Sequence, residues 1–258
     1  FDGRGNRIIG LKVENANGNA GIFDTIGTNG VVKDVNIYSG TFTGTTTAGA
    51  VAGVNNGRIE GIVTFGNTVT SNGNAGGIVG INSSGEFKDD ANDGELTNGI
   101  YDVESTGSVI AGSSSAIAGG LVATNNGGIA NSFSDSAVTV DTNVTSGTSA
   151  GLGGVVGINN GNVQYVDSLG VTNGGATGSS NIGGIIGTNN GNMYSGYNES
   201  IVSGNDNVGG IIGENDGGIN YTLEEDGTVT WSKGTVENVV NATGVTGTGN
   251  NVGGLLGT

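Results

Sequence analysis

The sequence predicts an all-β fold, a right-handed parallel β-helix (β-solenoid) of about eight rungs of roughly 26–30 residues with inserts, and three observations lead to it. One short motif recurs along the whole chain. The apolar runs around it are short, Val-, Ile- and Thr-rich, and bounded by Gly, Asn or Ser, which is typical of strands and turns. The chain holds 56 glycines in 258 residues and no proline. A fixed internal period of this kind indicates a repeat architecture.

The motif consists of two small residues, two or three aliphatic residues and another small residue, usually followed by an Asn-rich turn. The first glycines of its copies are Gly21, Gly49, Gly76, Gly119, Gly153, Gly183, Gly209 and Gly253. Their spacings are 28, 27, 43, 34, 30, 26 and 44 residues, so three copies are expanded. The chain has no Leu-, Ala-, Glu- and Lys-rich stretch of about ten or more residues, as a helical repeat would require. Three short strands joined by three turns fit the basic period, and they make one rung of a parallel β-helix.

The copy from Ile182 shows the expected strands of one rung. "GGIIG" (183–187) is predicted to be the first strand, "NMYSGYN" (192–198) the second and "SIVSG" (200–204) the third, with a turn at "TNNG" after the first. Glycine beside the apolar run would let rungs and corners approach closely. Asparagines in the turns tolerate positive φ, bond to their own backbone, and can form ladders of stacked side-chain amides.

These repeats resemble the GLUG-motif family, named for Gly-Leu-aliphatic-Gly. The matching segments are "GGIVG" (76–80), "GGVVG" (153–157), "GGIIG" (183–187 and 209–213) and "GGLLG" (253–257), and residues 20–37 look like the family's first-rung variant. Such repeats occur in large secreted and surface proteins of bacteria, including filamentous-haemagglutinin-like adhesins and the non-catalytic part of some immunoglobulin A proteases. The resemblance implies a β-helix in an extracellular or cell-surface setting.

A single β-solenoid domain is expected over residues 1–258, with insertions at about 86–107 and 221–239. In the second insertion, "YTLEEDGTVTW" alternates around an Asp-Gly step, which predicts a hairpin leaving the rung. Insertions of repeat proteins often lie on the binding face, so Tyr221 and Trp231 are candidate binding residues. The alternative is a solvated loop that only extends the rung.

The chain begins with Phe1 and ends inside another copy of the motif, "NVGGLLGT". The end of a solenoid exposes unpaired backbone, which natural repeat proteins cap. We therefore expect a fragment of a longer chain, with further rungs of the same chain or a stacking neighbour at the C-terminal end.

An acidic segment in the first insertion, "DDANDGE" (89–95), suggests a calcium site with Asp89, Asp93 and Glu95 as ligands. The third position is Ala91, which cannot coordinate a metal ion, so a solvated acidic turn is the alternative. No other cofactor is expected.

Charge and composition narrow the function classes. A net charge of −16, from 23 acidic and 7 basic residues, opposes binding to nucleic acid. No apolar run is long enough for membrane insertion. The chain has no histidine or cysteine, which excludes His-assisted nucleophilic triads and His/Cys zinc sites. No Arg or Lys lies between Lys88 and Lys233, and acids such as Asp167 and Glu199 are not expected to pair on one face. The sequence therefore predicts no enzyme and no catalytic residue.

The predicted function is that of a non-catalytic adhesin segment, secreted or on the cell surface. It would be a repeat rod that displays loops to host or cell-surface receptors or glycans. A purely structural stalk or extracellular fibre subunit is the alternative, followed by a β-helix enzyme acting on polysaccharides.

Overall fold

The computed structural model describes residues 1–86, 97–144, 151–175, 179–217, 221–223, 229–231 and 234–258, with the backbone alone for 221–223 and 229–231. These residues form strands and no helix, so none of them could cross a membrane as a helix. The fold is a parallel β-solenoid with three sheets along its length, as predicted from the repeat.

The largest of the three, here called the broad sheet, has thirteen strands. Its strands are β1 (Asp2–Ile9), β2 (Lys12–Asn15), β5 (Val31–Tyr38), β6 (Thr41–Gly44), β9 (Arg58–Ser71), β12 (Gly99–Ala111), β15 (Gly128–Val140), β18 (Asn162–Ser168), β19 (Val171–Asn173), β22 (Asn192–Asn198), β23 (Ile201–Gly204), β28 (Val236–Asn241) and β29 (Val245–Gly247).

The two narrower sheets are built from the repeated motif itself. The glycine-pair sheet contains β3 (Asn19–Ala20), β7 (Thr47–Gly49), β10 (Asn74–Gly76), β13 (Ile117–Gly119), β16 (Gly151–Gly153), β20 (Ser180–Gly183), β24 (Asp206–Gly209) and β30 (Val252–Gly253). The asparagine sheet contains β4 (Phe23–Ile26), β8 (Ala52–Asn55), β11 (Val79–Asn82), β14 (Val122–Asn125), β17 (Val156–Asn159), β21 (Ile186–Asn189) and β25 (Ile212–Asn215).

Each turn passes through the glycine-pair sheet, the asparagine sheet and the broad sheet in that order. The asparagine sheet has seven strands in the described residues, and the last copy reaches it only through one bridge between Ile212 and Leu256. The number of complete turns is therefore slightly lower than the eight rungs expected. The right hand of the coil stays a prediction.

The prediction that "GGIIG" forms one strand is wrong, because the motif makes a corner between two sheets. Strand β20 ends at Gly183, residues 184–185 bend, and β21 begins at Ile186. A Cβ atom on Gly183 would overlap the carbonyl oxygen of Ile186, and one on Gly184 would overlap that of Gly210 in the next turn. The glycine pair is thus required by the tightness of the corner. The second and third predicted strands are present as β22 and β23.

The core is a set of apolar columns that run along the axis. One column of the asparagine sheet contains Val79, Val122, Val156, Ile186 and Ile212, all fully buried. Strands in neighbouring turns lie about 4.8 Å apart, so side chains of similar shape stack directly on one another. Repetition of aliphatic residues in the sequence therefore becomes continuous packing in the structure.

The predicted hairpin in the second insertion is confirmed for the backbone. Strand β26 (Tyr221–Leu223) pairs antiparallel with β27 (Val229–Trp231), outside the three sheets of the solenoid. The side chains of Tyr221 and Trp231 lie outside the description.

The last copy of the motif exposes apolar side chains. Val252, Leu255 and Leu256 are each more than two-fifths exposed. Further rungs or a stacking neighbour at this end stay predictions.

Candidate functional surfaces

A buried ladder of asparagines runs along the corner where the asparagine sheet meets the broad sheet. We call it the inner ladder, and it consists of Asn55, Asn82, Asn125, Asn159, Asn189 and Asn215. Each Nδ2 donates to the Oδ1 of the next member at 2.8–2.9 Å. The Oδ1 atoms of Asn125 and Asn159 also accept from the backbone two residues on. The predicted amide ladder and the local backbone bonds are confirmed.

The positive φ expected at these corners is not found there, since Asn125, Asn126 and Gly127 are not left-handed. Left-handed residues stand instead in the middle of the broad sheet, at Asp34, Gly61, Asp102, Asn131, Tyr165, Ser195 and Asn238. They occupy equivalent positions in successive turns, where the long strand bends between two inward-facing segments. The inner-ladder asparagines end strands, and their amides already satisfy the corner without a left-handed residue.

An outer ladder lies one residue further along the same corner. It consists of Asn126, Asn160 and Asn190, joined by Nδ2 to Oδ1 bonds of 2.8 and 2.9 Å. These side chains are exposed or half-buried, whereas the inner ladder is buried up to Asn189. The two ladders use the same chemistry on opposite sides of the backbone.

Both long insertions interrupt this same corner. The first lies between β11 and β12, and its base is closed by a bond from the Thr97 amide to the Glu86 carbonyl at 3.1 Å. The second lies between β25 and β28 and contains the hairpin. Residues 99–107 belong to β12 and residues 236–239 to β28, so the segments that leave the stack are shorter than the ranges expected from the sequence. After each insertion, the stack resumes in register.

The calcium candidates Asp89, Asp93 and Glu95 lie outside the described residues. In the part of the chain that is described, no group of three or more acidic, His or Cys side chains is placed to hold a metal ion. The calcium site and the binding role of Tyr221 and Trp231 stay predictions.

The sequence analysis missed a group of aromatic side chains on the outer side of the broad sheet. We call it the aromatic face, and it is carried by β15, β18 and β22. It comprises Phe133, Tyr165, Tyr194 and Tyr197 together with Gln164, Asp167 and Glu199. The rings of Tyr165 and Tyr194 meet edge to face at 5.8 Å between centroids. Phe133, Asp167 and Tyr197 stand in one register column in successive turns. All four rings are half-buried.

Two carboxylates flank one tyrosine of the aromatic face. The Tyr197 hydroxyl donates to Glu199 Oε1 at 2.6 Å. That hydrogen bond, then burial, then the charges of Glu199 and Asp167 raise the pKa of Tyr197 above 10.0. Partial burial of the Asp167 carboxyl, whose side chain is otherwise exposed, raises its pKa above 3.8. The register places Asp167 beside Tyr197, and Glu199 follows Tyr197 by two residues and accepts from its hydroxyl group, so both acids lie near one ring. The expectation that the two carboxylates do not pair with each other stays a prediction.

Gln164 contributes a buried acceptor beneath this face. It is 7% exposed, and its register neighbours in the adjacent turns are Ala130 and Tyr194. Its Oε1 atom accepts no hydrogen bond within the described part of the chain. An unpaired buried acceptor costs about 1–3 kcal/mol of folding free energy, so a ligand that donates to it would relieve a real penalty.

The basic residues of the described ranges are confined to the first three turns. They are Arg4, Arg7, Lys12, Lys33 and Arg58, and Lys12, Lys33 and Arg58 form ion pairs with neighbouring acids. The aromatic face therefore carries carboxylates without a described cation beside them.

Comparison with known proteins shows one solved structure of the same fold and one protein with a short stretch of similar sequence. No protein-family model matches the chain. Halomucin from Haloquadratum walsbyi is 33% identical over 63 residues, which are 24% of this chain and 1% of that protein. The chain thus spans about one hundredth of the length of this relative. A crystal structure of a candidate immunoglobulin A1 protease from Bacteroides ovatus superposes with a TM-score of 0.61 at 19% identity, covering 95% of this chain and 68% of that one. This likeness shows a shared fold.

Proposed function

We propose that this chain is the rod segment of a non-catalytic adhesin, secreted or held at a cell surface, that binds glycans or protein receptors. The observation that carries the proposal is that both long insertions leave the stack at one corner while the register continues across them. Since strand pairing does not depend on the inserted residues, their sequence is free to serve a ligand. A rigid solenoid would hold such segments at a fixed spacing along one edge.

The extracellular setting is supported by the names of the similar proteins. One is named Halomucin and the other for immunoglobulin A1, and mucins and antibodies are both found outside cells. The negative charge of the chain suits a soluble, non-aggregating surface rod.

We assign no proteolysis to this chain, although the protein of similar fold is named as a protease. The sequence has no histidine or cysteine to serve as base or nucleophile in the common triads. We interpret Asp167 and Glu199 as hydrogen-bond acceptors for a bound ligand, and not as the paired carboxylates of a polysaccharide-acting enzyme. Cleavage of a bound polysaccharide would contradict this part of the proposal.

The test removes the second insertion without changing the length of the rung. Asn215 pairs with Asn189, and Val236 pairs with Met193. In the turn that has no insertion, residues 190–192 separate Asn189 from Met193. Deleting residues 217–233 leaves Asp216, Gly234 and Thr235 in the equivalent place. A matched deletion of residues 85–98 leaves Ser83 and Ser84 between Asn82 and Gly99, as Asn56 and Gly57 lie between Asn55 and Arg58.

We expect the full chain to bind a glycan or a host-cell surface on an array, and at least one shortened chain to lose that binding while keeping the thermal stability of the full chain. Absence of any binding by the full chain, together with filaments in electron micrographs, would favour the structural stalk. The unbroken inner ladder is the observation that makes the stalk the second candidate.

A further inference from the structure

We propose that the aromatic face binds an uncharged polysaccharide chain that lies along the axis of the solenoid. This inference goes beyond the proposed function, since it adds a second binding surface to the adhesin and names the ligand class of that surface. The site lies on the broad sheet, on β15, β18 and β22, and not in the insertions. The two ideas can therefore fail separately.

The rings supply the apolar part of the site. Tyr194 and Tyr197 are half-buried on the same strand, and Tyr165 packs against Tyr194 at 5.8 Å. Half-buried rings fixed by edge-to-face packing offer flat surfaces at little entropic cost. Sugar rings present faces of C–H groups that pack on such surfaces, while their edges carry hydroxyl groups.

The polar groups around the rings match those hydroxyl groups. Asp167 and Glu199 are exposed acceptors, and Gln164 Oε1 is a buried acceptor without a partner in the described residues. At the start of the same strands, Asn192 donates to Asn162 at 3.0 Å, and both amides are half-buried. Amides donate as well as accept, which suits a hydroxyl group because it does both. An ammonium group only donates, so a basic peptide would leave the amide donors unused.

The spacing of the turns favours an extended chain of sugars over a compact ligand. Adjacent strands lie about 4.8 Å apart, which is close to the length of one sugar residue in an extended polysaccharide. The column of Phe133, Asp167 and Tyr197 therefore offers one contact per sugar along the axis.

Charge opposes the binding of anionic ligands. The chain has a net charge of −16, and the described cations all lie in the first three turns, away from this face. Asp167 and Glu199 would repel sulfated or uronic polysaccharides, since no cation of the described residues lies beside them.

The experiment is affinity gel electrophoresis of the whole chain in gels that contain a neutral β-glucan, mannan, galactan or xylan. Hyaluronate serves as the anionic probe, and fluorescent oligolysine, titrated in solution, serves as the cationic peptide. The variants are Tyr194→Ala with Tyr197→Ala, and Gln164→Leu. The matched control is Phe65→Ala, which removes a ring that is 55% exposed on β9 of the same sheet.

We expect at least one neutral polysaccharide to retard the chain, with its affinity lowered about tenfold or more by the double tyrosine variant. Phe65→Ala and the chain lacking residues 217–233 should keep the wild-type affinity. Gln164→Leu should weaken binding and also raise the urea midpoint of unfolding, because it removes the unpaired acceptor. A misfolded variant could not show this combination.

The inference is overturned if no neutral polysaccharide retards the chain, if only hyaluronate or oligolysine binds, or if the double variant binds as tightly as the wild type. Binding that requires residues 217–233 but not the tyrosines would support the insertion-based function and reject the aromatic face. Binding that requires the tyrosines but not residues 217–233 would support the aromatic face and reject the insertion-based function.

Discussion

The inner corner and the outer side of the broad sheet differ in how they use the repeat. At the inner ladder, six turns in succession carry the same residue, asparagine. One outward column of the broad sheet instead changes at every turn, is half-buried or exposed throughout, and runs through Asn36, Val63, Glu104, Phe133, Asp167, Tyr197 and Val240. This solenoid repeats a residue where neighbouring turns meet in the interior, and varies the residue where the turn faces solvent.

The physical reason is the satisfaction of buried polar groups. An asparagine in the inner ladder donates to one neighbour and accepts from the other, so any other residue type leaves buried partners unpaired. On the outer side, water can replace a lost hydrogen bond, and the stack tolerates any side chain that suits a strand. Function is therefore expected on the outer side and in the insertions.

The largest effect on stability should come from a substitution in the glycine pair. Gly184→Ala places a Cβ atom against the carbonyl oxygen of Gly210, and backbone in both turns must shift. We expect a loss of about 3 kcal/mol in the free energy of unfolding by urea, the upper end for overpacked sites. Gly244→Ala is the control, since no atom lies within 4 Å of its added Cβ. Equal losses in the two variants would show that the corner is not close-packed.

A smaller effect should appear in the pH dependence of stability through Asp167. Its pKa is raised by burial in the folded chain, so the folded state binds the proton more tightly than the unfolded state. Stability from this group therefore falls as the pH rises from about 3.8 through the raised value, and stays reduced above it. Asp167→Asn should match the wild type at low pH and be slightly more stable at neutral pH. A variant less stable than the wild type at neutral pH would contradict this sign.

The smallest effect should be seen in the titration of Tyr197. Its pKa lies above 10.0, chiefly because its hydroxyl donates to Glu199. Glu199→Gln removes that charged acceptor and should lower the pKa, whereas Asp167→Asn should lower it less. Carbon NMR of ring-labelled tyrosine would follow the change. An unchanged Tyr197 resonance in Glu199→Gln would show that the two side chains do not interact in solution.

The sequence was sufficient to predict the structural features that repeat from turn to turn. The strands β22 and β23, the parallel stack and the inner ladder follow from short apolar runs and from asparagines at one position of the period. The corner inside "GGIIG" could not be read from the sequence, since glycines beside aliphatic residues fit a strand and a bend equally well. Only the contact of Gly184 with the next turn decides between them.

The aromatic face was missed because it does not repeat. Asp167, Tyr194 and Tyr197 come together through the register between turns, and that register also depends on copies of unequal length. Alignment of the copies on the inner asparagines, followed by inspection of the outward positions of β18 and β22, would have placed Asp167 beside Tyr197. The unpaired oxygen of Gln164 has no sequence signal, since it depends on which atoms surround it.

The most direct test of the account compares Asn159→Ala with Asn160→Ala. The two residues are adjacent, each has a ladder partner in both neighbouring turns, and they differ in burial, with Asn159 fully buried and Asn160 half-buried. The measurement is the free energy of unfolding by urea. We predict a loss of about 2 kcal/mol for Asn159→Ala and less than about 0.5 kcal/mol for Asn160→Ala. Equal losses, or a larger loss at Asn160, would contradict the claim that the buried, repeated columns stabilise this fold.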